Sequence, residues 1–315
     1  MQTEPLSPEQ KKNSRYAIII PNILAIVLVG IGKLVAPPEQ TFSGSSGVFV
    51  FSTFVIVPLL MGLISAYFWR DLKMKTIRYI GLSFINTLIA IALSAIFLRE
   101  GVICLLIVSP LILIFVMAGA LIGKLIFRRR NNTLNVSLFG VLLLVFVADV
   151  LSDHEFAAKV SDTVIVNAPV EKVWPLVVEY EPIKMKENYW LFKVGMPSPV
   201  QSTVDGHEAG AGRKCIFSNG YVFDEKMVVY KPNEELTFDI ITQPRDPEIM
   251  GHIDILRGQF ILIDNGNGTT TLIGNSWYRL YVFPVAYFDI WAESITRNVH
   301  LRVMDHIKIQ AERGV

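Results

Sequence analysis

His252 and Asp254 stand two positions apart, with Arg257 close behind, and a paired imidazole and carboxyl is the raw material of general acid–base chemistry. Residues at that spacing share a face only where the backbone is extended. Met250 and Gly251 before them read as a loop, so the couple sits at the entrance of a strand. Arg213 and Glu225 could face each other across a hairpin, as could Lys214 and Asp224. The ordinary reading is a cross-strand ion pair; the functional one is a charged group in a binding site. Trp277, Arg279 and Tyr281 share one face of a strand, and Tyr278 and Leu280 the other, either as packed aromatic core or as the wall of a ligand site.

Other chemistries find less support. His154, His207, His252, His300 and His306 are scattered, with no HExxH and no Cys–His cluster, so neither a metal nor a cofactor is expected. Gly206, Gly210 and Gly212 surround His207 and Glu208 in a turn that could act as a lid. They lack the third spaced glycine and following helix of a dinucleotide fingerprint. Cys104 lies in a long apolar run and Cys215 in a polar-flanked segment, so no disulfide joins them. A net charge of +1 over 315 residues gives no footing for nucleic acid.

The elements that must position these residues lie in the second half. Residues 159–166 alternate as a first strand, with Asp162 between Val160 and Val164 on one face. Asn167, Ala168 and Pro169 introduce a helix over 170–180, and 182–188 reads as a second short one. Strands follow at 213–218 and 221–230, joined by a strong Asn219-Gly220 hairpin turn, then at 236–241, 256–263 and 269–283. Residues 285–313 form one helix about 40 Å long, with Trp291, Ile295, Val299, Val303 and Ile307 as its apolar stripe and Phe288 one turn earlier. That stripe needs a cover, and the sheet supplies it.

"VIVNAPVEKVW" at 164–174 and "NSWYRLYVFPVAYFDIWAESITRNVHLRVMDHIKIQAE" at 275–312 resemble the START-like superfamily, also called SRPBCC or polyketide cyclase/dehydrase-like. The resemblance covers about residues 155–313 and implies a helix-grip fold, with a deep apolar cavity between a curved antiparallel sheet and a long C-terminal helix. A lipid or other apolar small molecule is then the implied ligand. On this expectation Arg213, Phe217, Tyr221, Phe223, Arg257, Phe260, Trp277, Arg279, Trp291 and Ile295 line the site. Three functions stay open: binding or transfer of the ligand, a cyclase- or hydrolase-like reaction with His252 and Asp254 as acid and base, and a sensory or scaffolding role.

The first half is of another kind. Of the whole chain 52% is hydrophobic and 18% charged, with a mean hydropathy of +0.45, an apolar balance that places part of it in lipid. After a polar tail over residues 1–15, runs at 16–35, 48–69, 79–98, 101–127 and 134–151 read as five transmembrane helices, making residues 16–152 a membrane domain. Lys11, Lys12 and Arg15, then Arg70, Lys73, Lys75 and Arg78, then Lys124 and Arg128 to Arg130 all fall on one side, against only Glu39 and the Arg99/Glu100 pair on the other. The chain is therefore expected in the cytoplasmic membrane with its N-terminus cytoplasmic and its C-terminal domain outside. Asn86 and Asp149 read as structural polar groups. Gly119 and Gly123 permit close helix contact, which leaves a homo-oligomer open.

Overall fold

A computed structural model describes residues 7–35, 52–72, 74–98, 101–127, 136–150, 155–244, 252–282 and 284–313. The loop at 36–47, the start of the second expected span, Lys73, the Arg99/Glu100 pair, Arg128 to Arg130, and the ends of the fifth expected span lie outside the described residues. So do residues 152–154 of the junction. The chain forms two compact units, one mainly of residues before His154 and one of Glu155–Leu280 with the C-terminal helix.

The first unit is helical: α1 (Pro8–Val35), α2 (Val57–Trp69) with a π-helical turn before it, α3 (Thr76–Leu93), α4 (Val102–Ile126) and α5 (Val136–Val150). Among the described residues four stretches are long and apolar enough to cross a membrane: Pro8–Ile31, Ser52–Leu72, Thr76–Phe97 and Val102–Ile126. The 15 residues of α5 span about 22 Å, short of a hydrocarbon core of about 30 Å. Apolar side chains such as Ile23, Ile77, Val102 and Leu125 face outward, as lipid-facing positions require.

Two features correct the sequence reading. Residues 8–15, expected within the tail, are helical because Ser7-Pro8-Glu9-Gln10 is a complete capping box. The Gln10 N–H donates to Ser7 Oγ at 3.2 Å and the Ser7 N–H to Gln10 Oε1 at 3.0 Å. The Gly119/Gly123 spacing serves a contact inside the chain: a Cβ on Gly119 would strike the Leu59 carbonyl, and one on Gly123 would lie 2.6 Å from Ala66 Cβ. Gly62 meets the α4 backbone at Val116 in the same way, so α2 and α4 touch almost backbone to backbone. Asn86 is structural as expected, since its amide donates to Ser65 Oγ at 2.9 Å and accepts from Asn22, tying α3 to α2 and α1.

The second unit runs β1 (Phe156–Val166), α6 (Val170–Val178), α7 (Trp190–Lys193), β2 (Pro199–Val204), β3 (Gly212–Phe217), β4 (Val222–Lys231), β5 (Glu235–Thr242), β6 (Ile253–Asp264), β7 (Thr270–Leu280) and α8 (Val285–Glu312). All seven strands form one antiparallel sheet in the order β1-β7-β6-β5-β4-β3-β2. Although β1 and β2 are opposite edges, α8 bonds to both: His300 Nε2 lies 2.7 Å from Asp162 on β1, and Arg302 Nε donates to the Pro199 carbonyl on β2 at 3.2 Å. Only a sheet curled around the helix allows that. Val173 and Val177 of α6, Leu236, Leu272, Met304 and Ile307 fill one end of the enclosed space.

The helix expected at 182–188 is absent, and the short helix falls on α7 instead. β2 escaped the sequence reading because it starts at a proline on a sheet edge and carries a bulge between Pro199 and Gln201, which breaks the two-residue period. The Asn219-Gly220 turn joins β3 to β4, with Gly220 at φ 85.

Candidate ligand cavity

Between the inner face of the sheet and α8 lies a cavity of about 170 Å³. Its walls are mostly apolar: Phe217, Phe223, Phe238 and Phe260 from the strands, and Ile295, Val299 and Val303 from the helix. Small-molecule pockets usually measure ~300–1,000 Å³, so this one holds a compact apolar ligand or one segment of a longer one.

Besides Gln243, Gln259 and Asn275, two clusters of charged and polar groups interrupt the wall. The first is the Arg213–Glu225 pair, in register across β3 and β4 and almost completely buried. Arg213 Nε donates to the Val178 carbonyl at 3.1 Å, and the guanidinium carbon lies 4.6 Å from the Phe238 ring centre. Burial pushes the Glu225 carboxyl above its usual value and the Arg213 charge opposes that. Beside them Tyr180 Oη and Cys215 Sγ lie 3.7 Å apart, and burial pushes the Cys215 thiol up to about 12.

The second group is a relay. His300 sits 6% exposed on α8, its Nε2 2.7 Å from Asp162 Oδ2 on β1 and its Nδ1 3.1 Å from Ser276 Oγ on β7. Arg297 Nε closes on the same Asp162 oxygen at 3.2 Å. Burial moves the imidazole below its ordinary pKa and Arg297 adds to that, while the bond to Asp162 opposes it. Ser276, Thr296 and His300 all line the cavity, and Thr296 Oγ1 is buried without a hydrogen-bond partner among the described residues.

Of the residues expected at the site, Arg213, Phe217, Tyr221, Phe223, Phe260 and Ile295 line the cavity. Arg257 borders it, but its guanidinium is turned to Asp239 on the other face, with bonds of 2.6 and 3.2 Å. Trp277 and Arg279 do not line it. In β7 the helix-facing set is Gly274, Ser276, Tyr278 and Leu280, with Tyr278 Oη donating to Asp289 on α8 at 2.6 Å. Alternation therefore sends Trp277 to Lys159, 4.8 Å from its ring centre, and Arg279 to Glu155 at 3.3 Å. Trp291 packs edge-on against Trp190, their ring centres 6.3 Å apart, while Ile295, Val299 and Val303 of its expected stripe line the cavity beside Thr296 and His300. His252 and Asp254 are not in the cavity either: Ile253 and Ile255 line it, and Asp254 accepts from Gln243 instead.

The sequence reading missed Ser276, Thr296, His300 and the role of Asp162. One signal was present: a carboxylate between Val160 and Val164 on the inward strand face requires a polar partner inside.

The path strand, helices, hairpin-connected strands, long helix, with that helix held from both sheet edges over a cavity, defines one architecture. The C-terminal unit is a curled antiparallel sheet closed by its long C-terminal helix. Solved structures similar to this unit include norcoclaurine synthase from Thalictrum flavum, at 12% identity and a TM-score of 0.35, over 51% of this chain and 90% of that one. The Zhui aromatase/cyclase from Streptomyces sp. R1128 shows 14% identity and a TM-score of 0.35, over 50% and 95%. A START superfamily protein from Mycobacterium smegmatis shows 12% and 0.35, over 50% and 99%. At such identities these are likenesses of fold. No family model and no curated protein matches the chain. No cluster of His, Cys, Asp or Glu able to hold a metal ion occurs among the described residues.

Proposed function

We propose that this chain is a membrane-anchored protein that binds or transfers a hydrophobic small molecule, held between the sheet and α8. The cavity itself carries the reading: aromatic and aliphatic walls whose buried cation, Arg213, is matched by Glu225, so the pocket favours an uncharged apolar guest. Arg213, Phe217, Tyr221, Phe223, Phe260 and Ile295 are the proposed ligand contacts. A molecule of this kind partitions into the bilayer, and a tethered cavity can take it up with little travel through water.

In the same proposal α5 completes a fifth span over 134–151, residues 16–152 are the membrane domain and 155–313 the START-like one. The basic groups at Lys11, Lys12 and Arg15, at Arg70, Lys75 and Arg78, and at Lys124 face the cytoplasm, which puts the START-like unit outside it. Native mass spectrometry of the full chain released from nanodiscs, with organic extraction, tests the ligand: a co-purifying apolar molecule that is lost in Phe223→Ala or Phe260→Ala is expected. Absence of any such molecule, with no binding across a panel of apolar ligands, defeats the reading. Protease protection of a C-terminal tag in sealed cells tests the sidedness, and a tag protected by the membrane would remove the fifth span.

A further inference from the structure

Holding an apolar guest does not require the relay at the cavity floor. Asp162, on β1, faces His300 from one side and fixes the ring by accepting from Nε2–H, which leaves Nδ1 free to accept the Ser276 hydroxyl proton. Ser276 then presents its oxygen lone pairs at the cavity wall it shares with His300. Thr296 precedes His300 by four residues and so stands beside it on the same helix face. Its buried hydroxyl has no partner among the described residues, a deficit that a bound carbonyl oxygen would remove.

We propose that Ser276, His300 and Asp162 form a nucleophilic site that hydrolyses the carboxylic ester of an apolar ligand, whose acyl segment occupies the cavity. In the first step a bond forms between Ser276 Oγ and the ester carbonyl carbon while the Oγ proton passes to His300 Nδ1. The bond from that carbon to the alkoxy oxygen breaks, and the departing oxygen takes the proton from His300, giving a free alcohol and an acyl-serine. Water then attacks the acyl carbon, its proton passing through His300 to Ser276 Oγ, and a carboxylic acid leaves. Thr296 Oγ1 donates to the carbonyl oxygen as negative charge develops there. Asp162 is a positioning residue, with Arg297 ion-paired to the same carboxylate oxygen that meets His300, and Glu293 paired with Arg297 in turn at 3.0 Å. Burial, which disfavours the imidazolium, keeps His300 in the neutral form that a base needs.

The inference rests on the cavity reading above, and its test separates the two. The full-length chain in detergent is incubated with a fluorophosphonate bearing an apolar chain and mapped by peptide mass spectrometry, while a fluorescent apolar probe reports binding in parallel. Wild type should carry one adduct, on Ser276, and Ser276→Ala none. His300→Gln should slow the reaction by about 10²-fold or more. Asp162→Asn should slow it and move its pH midpoint downward, because a carboxylate that stabilises the imidazolium has been removed. Should Ser276→Ala fail to fold, the isosteric Thr296→Val variant should label more slowly with probe binding intact. Probe binding with no Ser276 adduct overturns the hydrolytic site, as does labelling at the same rate in His300→Gln and Thr296→Val. No probe binding by wild type overturns the cavity reading itself.

Discussion

Met304 Sδ lies 2.5 Å from the point where a Cβ on Gly274 would stand. Here α8 comes down onto β7, and only a hydrogen leaves room for the thioether, which is completely buried. Gly274→Ala should therefore cost about 1–3 kcal/mol, by displacing Met304 within a full core. Thermal melts of the full chain check this, and Gly274→Ala with Met304→Ala should recover part of the loss.

Arg213 and Glu225 stabilise the unit mainly by cancelling each other. Glu225→Ala leaves a guanidinium buried without its counter-charge and should lose about 3–5 kcal/mol. Replacing both, as Arg213→Met with Glu225→Leu, should restore most of that while making the cavity still less polar. A denaturant titration followed by circular dichroism distinguishes the single variant from the double.

Acid should loosen the C-terminal unit through its buried histidines. His300 and His306 are both held below their ordinary value of 6.5, chiefly by burial. His300 meets Asp162, Arg297 and Ser276, while His306 stacks edge-on with Tyr180 and feels Arg313, Arg302 and Glu181. A depressed folded pKa means that the native state binds fewer protons than the unfolded one. The stabilisation is complete above 6.5 and is lost as pH falls through the folded values. Melting temperatures measured from pH 8 down to about pH 5 should fall in wild type and flatten in His300→Gln, His306→Gln.

Cys215 should be nearly inert. With the thiol pushed up to about 12 by burial, against an ordinary 9.0, the folded chain holds roughly a thousandfold less thiolate than the unfolded one. Iodoacetamide at pH 8 should modify it only after denaturation, as read by peptide mass spectrometry.

The sheet was legible in the sequence wherever alternation and turn chemistry agreed: residues 159–166, the Asn219-Gly220 hairpin, and the long strands that became β6 and β7. It was illegible at β2, where an edge proline and a bulge remove the period. The helix start at Pro8 was legible in Ser7-Pro8-Glu9-Gln10 and was passed over for the polar residues around it. Six of the ten residues expected in the ligand wall line the cavity, and of these Phe223 and Phe260 needed only strand parity. Trp277 and Arg279 went to the wrong face because parity says which residues travel together, and not which set meets the helix. Register settles that: Ser276 comes opposite Val160 on β1, and the relay joins residues from β1, β7 and α8 that no local spacing connects. On α8 a strict four-residue repeat drifts around a 3.6-residue turn, so polar Thr296 and His300 took inward positions that Trp291 was expected to lead.

The pairing of β1 with β7, Phe156 opposite Leu280, has a consequence for how the molecule is made. The first strand of the C-terminal unit leaves the ribosome long before its partner exists, and it stands at an edge of the sheet. Until β7 and α8 follow, an emerging β1 exposes an unpaired edge directly after the last helix of the first unit, so closure is a late, long-range event and a slow one. A chain interrupted before residue 270 should therefore be a substrate for quality-control proteases and not a smaller working protein.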